Sequence, residues 1–282
     1  MTLFMKTYLF DKTKYTTAVF DLDGTVLCDG HMSDENRIAI SQLRSLGITT
    51  SIGSGRSYNQ ILPNIRNVFD YTIVCNGGHI VNNITGKTVF SAPFSLKQIQ
   101  FVNDTIRLNS GYMFCFLSGW MLGTVNALDL VHKNLSVGEQ SCYRTHGENT
   151  NVVLCENILE WVRSNNDYPF KLQGLFTSPE SCNTASKALS AASEFTVLDV
   201  GNNVLEITLD GISKASALKI IDNPENIIAF GDGVNDIEML KTSGFSVAMC
   251  NGDSFVKEIA DYIAPDVSVS GVALAIKDLF DL

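Results

Sequence analysis

The stretch FDLDGTVLCDG, residues 20–30, decides how the rest of the chain is read. It continues an apolar run, TTAVF (16–20), with the length and composition of a buried strand. Asp21 and Asp23 then stand two positions apart, with Gly24 and Thr25 next. Two carboxylates this close repel each other and raise each other's proton affinity. A buried strand ending on such a pair needs positive charge beside it.

Outward from this stretch the chain alternates short apolar runs with helical patterns. SDENRIAISQLRSLG reads as a helix, capped by Ser33, acidic in its first turn and stopped at Gly47. ITTSI (48–52) is a second strand, SYNQILPNIRNVF a helix bent or broken at Pro63, and YTIVC (71–75) a third strand. Strand, helix, strand, helix, strand implies right-handed crossovers and a parallel sheet. The C-terminal part repeats the rhythm: SKASALKIID helix, NIIAF (226–230) strand, VNDIEMLKTSG helix, FSVAM (245–249) strand, DSFVKEIA helix, DYIAP strand, GVALAIKDLF helix.

The middle differs. KTVFSA, a helix near 95–109, YMFCFLS, MLGTV, FKLQGLFT and a helix near 180–193 lead to FTVLDVGNNVLEITL, a hairpin signal with Gly-Asn-Asn between two alternating runs. The fold class expected is α/β: a doubly wound parallel sheet carrying an inserted α+β module. The boundaries are 1–81 and 211–282 for the main domain and 82–210 for the insert.

Bulk properties narrow the function. A chain of 282 residues with 45% hydrophobic and 18% charged residues is an ordinary globular one. Net charge is -10 and no Lys/Arg cluster occurs, which argues against nucleic acid as a partner. No apolar run approaches a membrane span, and the first 17 residues lack an h-region. Seven scattered cysteines without a CxxC, and four histidines (His31, His79, His132, His146) without metal spacing, read as free thiols and no zinc. The expectation is a cytoplasmic protein, monomeric or weakly self-associating.

In an open parallel sheet, ligands bind beyond the carboxyl ends of the strands. Asp21 and Asp23 stand there, with Gly53, Ser54, Gly55 and Arg56 after the second strand and Asn76, Gly77 and Gly78 after the third. GDGVND follows NIIAF with Asp232, Asn235 and Asp236; Asn251 follows FSVAM, and Lys214 opens a helix. Carboxylates converging on one rim are costly without cations. Mg²⁺, which favours oxygen ligands and retains waters, resolves this together with the lysine.

DLDGT (21–25) resembles the first motif of the haloacid dehalogenase superfamily. SGR (54–56) resembles its second, Lys214 its third and GDGVND (231–236) its fourth. The long insert, with CNGG (75–78) and GISK (211–214), is similar to the type IIB, Cof-like sugar-phosphate phosphatases. The resemblance implies Mg²⁺-dependent hydrolysis of small phosphorylated metabolites, with the insert as a cap over the site. Asp21 would attack phosphorus to form an aspartyl-phosphate. Asp23 would protonate the leaving oxygen and then activate water. Asp21, the backbone carbonyl of Asp23 and Asp232 would hold Mg²⁺, with Asp236 acting directly or through water. Ser54, Lys214, Asn235 and the amides of Leu22 and Gly55 would hold the phosphoryl oxygens, and Asn76, Gly77 and Asn251 would border the substrate. SVSG (268–271) stands where the family often carries acids, which puts contacts around the metal ligands in question at Ser268 and Ser270.

Plainer readings compete at several positions. Ser54 and Asn251 read equally as turn residues, Asn76 as a left-handed turn beside Gly77, and Asp236 as a helix-start acid. His31 reads as an exposed loop residue, and YMFCFLSGW (112–120) as insert core rather than a stacking platform. GSGRSY lacks the third glycine of a dinucleotide fingerprint, and no GxxxxGK[ST] occurs. Two other functions fit the motifs: a phosphomutase of the same branch, and a catalytically silent phosphosugar-binding protein.

Overall fold

The computed structural model describes residues 10–135, 143 and 151–282. Cys142, His146 and residues 1–9, which enter the thiol, histidine and leader-segment readings above, lie outside the described residues.

Two sheets carry the architecture, each with its own helices. The first has eight strands: β1 (Thr17–Phe20), β4 (Thr49–Gly53), β5 (Tyr71–Val74), β6 (His79–Asn82), β7 (Lys87–Ser91), β14 (Ile227–Gly231), β15 (Phe245–Met249) and β16 (Tyr262–Ala264). Their spatial order is β16-β15-β14-β1-β4-β5-β6-β7. The six strands from β16 to β5 run parallel, while β6 and β7 are antiparallel additions at one edge. β1 sits centrally, its four residues all buried.

Alternation along β1 sorts the helices to two faces. Ala18 and Phe20 point into a core shared with Ala39, Ile40 and Leu43 of α1 (Asp34–Ser45) and Val272, Ala275 and Ile276 of α10 (Gly271–Phe280). Val19 points to the opposite core, with Ala217 and Leu218 of α7 (Lys214–Ile221), Met239 and Leu240 of α8 (Ile237–Thr242) and Val256 of α9 (Ser254–Ile259). The β2–β3 hairpin (Leu27–Cys28, His31–Met32) follows β1. The stretch read as a helix bent or broken at Pro63 is broken there, a 3₁₀ turn, Tyr58–Gln60, preceding a short α2, Pro63–Arg66. Proline occupies the first turn of α2, where its missing N–H costs nothing.

The second sheet has six strands, β8 (Gly111–Phe116), β9 (Met121–Gly123), β10 (Val152–Leu154), β11 (Lys171–Phe176), β12 (Phe195–Asp199) and β13 (Val204–Leu209), in the order β10-β9-β8-β11-β13-β12. All its pairings are antiparallel except β9 with β10. The Gly-Asn-Asn hairpin forms as read, with Gly201, Asn202 and Asn203 all at positive φ. α3 (Leu96–Leu108), α5 (Ile158–Asn165) and α6 (Pro179–Ser190) cover one face, over Cys115, Leu172, Phe176, Leu205 and Ile207. α4 (Val125–Asn134) contributes Ala127, Leu130 and Val131 to the core that also holds Phe114, Phe116, Leu175 and Val204 of the other face.

The reading that gives Lys87–Ser91 to the insert is corrected by its pairing: β7 is hydrogen-bonded to β6 at the edge of the first sheet. An exposed edge strand carries no pattern that says which sheet it joins. The aromatic run 112–120 is divided, since Met113 and Cys115 enter the second sheet's own core and Phe114 and Phe116 face the other way.

Candidate active site

The carboxyl ends of β1, β4, β5 and β14 bring the motif residues to one rim. Asp21 follows β1 directly, and its backbone N–H donates to the Phe230 carbonyl at 2.9 Å, so strand pairing carries through to this residue. Gly24 turns the chain back at φ +83°, where a methyl group would come within 2.2 Å of Asp232 Oδ2. Only glycine allows the first loop to lie against Asp232. Thr25 Oγ1 donates to Asp232 Oδ1 at 2.9 Å and fixes that side chain.

Lys214 opens α7 behind its cap, Ser213, whose Oγ accepts the Ser216 N–H at 3.2 Å. Gly77, at φ +99°, packs so closely on the Ser213 carbonyl that a methyl would sit 2.3 Å from it. Its part is to seat α7. Lys214 is wholly buried; its Nζ donates to Asp21 Oδ1 at 2.5 Å and to Asp236 Oδ1 at 2.7 Å. Asp236 Oδ2 accepts the N–H groups of Asp232 (3.1 Å) and Gly233 (3.0 Å), so both its oxygens are engaged.

One carboxylate oxygen each from Asp21, Asp232 and Asp236 lies within 4.8 Å of the others. Burial pushes Asp21 well above the usual carboxylate range; Lys214 opposes this, and the charges of Asp236 and Asp232 add to it. Burial and then the Asp236 charge push Asp232 up to about 6. Burial alone would lower Lys214, but the two carboxylates outweigh it and hold the ammonium above its ordinary value. Three acids facing one lysine in an all-oxygen cluster fit a hard divalent cation. Asp232 and Asp21 have the freer oxygens, whereas Asp236 is committed to Lys214 and backbone.

Above the rim opens a cavity of about 690 Å³ lined by Asp21, Asp23, Ser54, Gly55, Asp232 and Asn235 from the first sheet's loops. Ser54 is buried, its Oγ accepting the Arg56 N–H at 3.2 Å. Leu22 has its side chain in the core, and its carbonyl accepts the N–H groups of Thr25, Val26 and Leu27, which holds the turn. Asp23 is half exposed and gripped by Arg56, with Nε to Oδ2 at 2.8 Å and Nη2 to Oδ1 at 2.6 Å. This planar fork–carboxylate pair fixes the Asp23 side chain.

Three residues expected to border the substrate also make contacts within the protein. Asn251 donates to the Gly24 carbonyl at 2.8 Å and accepts the Val267 N–H at 2.9 Å, bracing the first loop. Gly77 is likewise spent on α7. Asn76 adopts a left-handed turn (φ 53°) and sends Nδ2 to Glu206 Oε2 of β13 at 2.7 Å. Ser268 bonds to Asp266 within its own turn, and the Ser270 hydroxyl bonds to the Ser33 hydroxyl at the start of α1. His79 stacks on Phe170 with centroids 4.7 Å apart and does not line the cavity.

Arg56, placed at the rim by the sequence without a role of its own, also lines the cavity, as do Lys171, Gln173, Glu206 and Phe116 of the insert, which the motif reading passed over. Lys171 and Gln173 are polar alternates in FKLQGLF, as are Glu206 and Thr208 in VLEITL. A period-2 polar row in otherwise apolar strands was the available signal.

Comparison with known proteins agrees with this geometry. A family model for haloacid dehalogenase-like hydrolases matches residues 18–276. The 5-amino-6-(5-phospho-D-ribitylamino)uracil phosphatase YbjI of Escherichia coli is 30% identical over 268 residues, covering 89% of this chain and 91% of its own. YcsE of Bacillus subtilis, named for the same activity, is 28% identical over 269 residues, covering 91% and 92%. A haloacid dehalogenase-like hydrolase from B. subtilis superposes with TM-score 0.81 at 22% identity, covering 93% of this chain and 99% of that one. The subclass IIB sugar phosphatase BT4131 superposes with TM-score 0.73 at 17% identity, covering 95% and 100%; at these identities the likeness shows the fold. The chain belongs to the haloacid dehalogenase-like hydrolases. It is an enzyme of their phosphatase branch, a phosphoric monoester hydrolase. Among the described residues no helix is long and apolar enough to cross a membrane.

Proposed function

We propose that the chain hydrolyses small phosphorylated metabolites, sugar phosphates or their open-chain polyol counterparts, through an aspartyl-phosphate on Asp21. The observation that carries this reading is the meeting of Asp21, Lys214, Asp232 and Asp236 beneath one cavity. Asp21 attacks phosphorus and the ester oxygen departs. Asp23 gives that oxygen its proton, which requires the side chain to leave the Arg56 fork, and then takes a proton from the water that hydrolyses the acyl phosphate. Lys214 neutralises Asp21 and, with the Ser54 hydroxyl, Asn235 and the backbone amides of Leu22 and Gly55, holds the phosphoryl oxygens. Asp21, Asp232 and the Asp23 carbonyl would hold Mg²⁺, which when bound supplies charge neutralisation for the transferring phosphoryl group. Asp236 positions Lys214 and the turn that carries Asp232.

The insert, from the strand exit after Ser91 to the return after Leu209, acts as a cap that limits water and reads the leaving group. Two relatives are named as phosphatases of a phosphoribityl uracil, which supports a polyhydroxylated ester as substrate. The test is release of inorganic phosphate from a panel of sugar and polyol phosphates with Mg²⁺ and again with EDTA. Turnover that needs the metal and is lost in Asp21→Asn is expected. Full activity in EDTA, or in Asp21→Asn, would overturn the proposal.

A further inference from the structure

The insert's cavity-facing sheet surface carries a polar row that its own folding does not require. On β11, Leu172 and Phe176 enter the insert core, while Lys171 and Gln173 face the other way. Glu206 is the cross-strand partner of Gln173. Lys171 is buried, its Nζ pairs with Glu206 Oε1, and the ammonium lies 3.9 Å from the Phe116 ring centroid. The Tyr143 hydroxyl donates to Gln173 Oε1 at 2.6 Å.

An ion pair removed from water in this way is a poor stabiliser, because desolvation offsets the attraction and apolar residues of similar volume do as well or better. Its position suggests a use. A methyl group on Gly55 would come within 3.3 Å of Lys171 Nζ and 3.0 Å of Asn76 Oδ1, so the pair abuts the loop assigned to the phosphoryl oxygens. Asn76 is more than nine-tenths buried, and its Oδ1 has no hydrogen-bond partner among the described residues. Such an orphaned acceptor is costly unless something donates to it. Glu206 is kept charged here: burial would raise its carboxyl, but the Lys171 charge and hydrogen bonds from Lys171 and Asn76 outweigh this and lower it.

We propose that Lys171, Glu206 and Asn76 form a hydroxyl-reading subsite for the part of the substrate next to the ester oxygen. Lys171 donates to a substrate hydroxyl, while Glu206 and Asn76 Oδ1 accept from that hydroxyl or its neighbour. Because Asn76 belongs to the first sheet's loops and Lys171 and Glu206 to the insert, the subsite is complete only with the insert seated on the rim. It distinguishes a polyol or sugar ester from an aryl or alkyl one. The inference rests on the phosphatase reading.

The experiment compares kcat/KM for the best hydroxylated ester among ribitol 5-phosphate and glucose 6-phosphate with that for 4-nitrophenyl phosphate, which has no hydroxyl. It uses the full chain and the variants Glu206→Gln, Lys171→Met and the double change Lys171→Met with Glu206→Leu, which leaves no unpaired charge. The quantity read is the ratio of the two values. It falls about 10- to 100-fold in each variant, mostly through KM of the hydroxylated ester, as expected for losing charged hydrogen bonds. Residual aryl ester turnover reports an intact phosphoryl centre, and a variant that fails to fold leaves the decision to the other two. A ratio within threefold of wild type overturns the subsite, as does a wild-type protein that hydrolyses the aryl ester but no hydroxylated one. Failure of the wild-type protein on every ester overturns the phosphatase reading instead.

Discussion

Replacing Asp232 by asparagine should stabilise the metal-free protein while disabling it. Asp232 sits within 4.8 Å of two other acids, and burial with the Asp236 charge lifts its carboxyl to about 6 from an ordinary 3.8. A carboxyl raised in the folded state adds stability only while it is protonated. That contribution is fully present below pH 3.8 and is lost as pH rises through about 6. A rise of this size corresponds to about 3 kcal/mol of electrostatic strain at pH 8. The asparagine side chain would carry no charge and could still accept from Thr25 Oγ1, so most of that strain should vanish. In EDTA at pH 8, urea unfolding should find Asp232→Asn more stable by about 1–3 kcal/mol, with the gain shrinking to roughly a few tenths at pH 4. Adding Mg²⁺ should stabilise the wild type, by about 2.7 kcal/mol at a hundredfold excess over Kd, and the variant far less. A variant less stable than wild type in EDTA at pH 8, or a gain that does not change with pH, would refute the electrostatic argument.

Other outcomes follow from the same contacts. Lys214→Met leaves Asp21 and Asp236 buried without their cation, so it should lose about 3–5 kcal/mol by denaturant unfolding at pH 8, and less at pH 5 where carboxylates take up protons. Gly24→Ala forces a methyl onto Asp232 at positive φ; calorimetry should show a loss of about 1–2 kcal/mol, and Mg²⁺ titration of its turnover should need a higher metal concentration. His79, stacked on Phe170, is lowered by burial, which favours its neutral form in the fold. Its contribution is complete above pH 6.5 and is lost as pH falls below that value, so His79→Gln should flatten the acid side of the stability profile below pH 6.5. Arg56→Ala frees Asp23 from its fork; a change in the pH–rate profile with phosphate ester binding retained is the expected result.

The sequence carried the first sheet well because short buried strands followed by capped helices leave strong local signals, as Ser33 and Gly47 do around α1. The rim followed from topology, since strand ends of a parallel sheet converge and so group Asp21, Ser54 and Asp232, while Lys214, which opens a helix, was marked by its GISK context. β7 was misassigned because an exposed edge strand looks the same whichever sheet it extends. Asn251 stands at a strand end yet turns its amide to backbone, and Gly77 packs on the Ser213 carbonyl, which spacing cannot reveal. Lys171 and Glu206 lie 35 residues apart on neighbouring insert strands and form a pair only through antiparallel register. No short motif marks such a pair.

The sharpest test of the account is the fate of the phosphoryl group in a single turnover. Rapid quenching of the Mg²⁺-loaded protein with ³²P-labelled sugar phosphate should leave label on the peptide that carries Asp21, forming before free phosphate appears and absent in Asp21→Asn. Phosphate release at full rate with no protein-bound label at any time, or label on another residue, would contradict it.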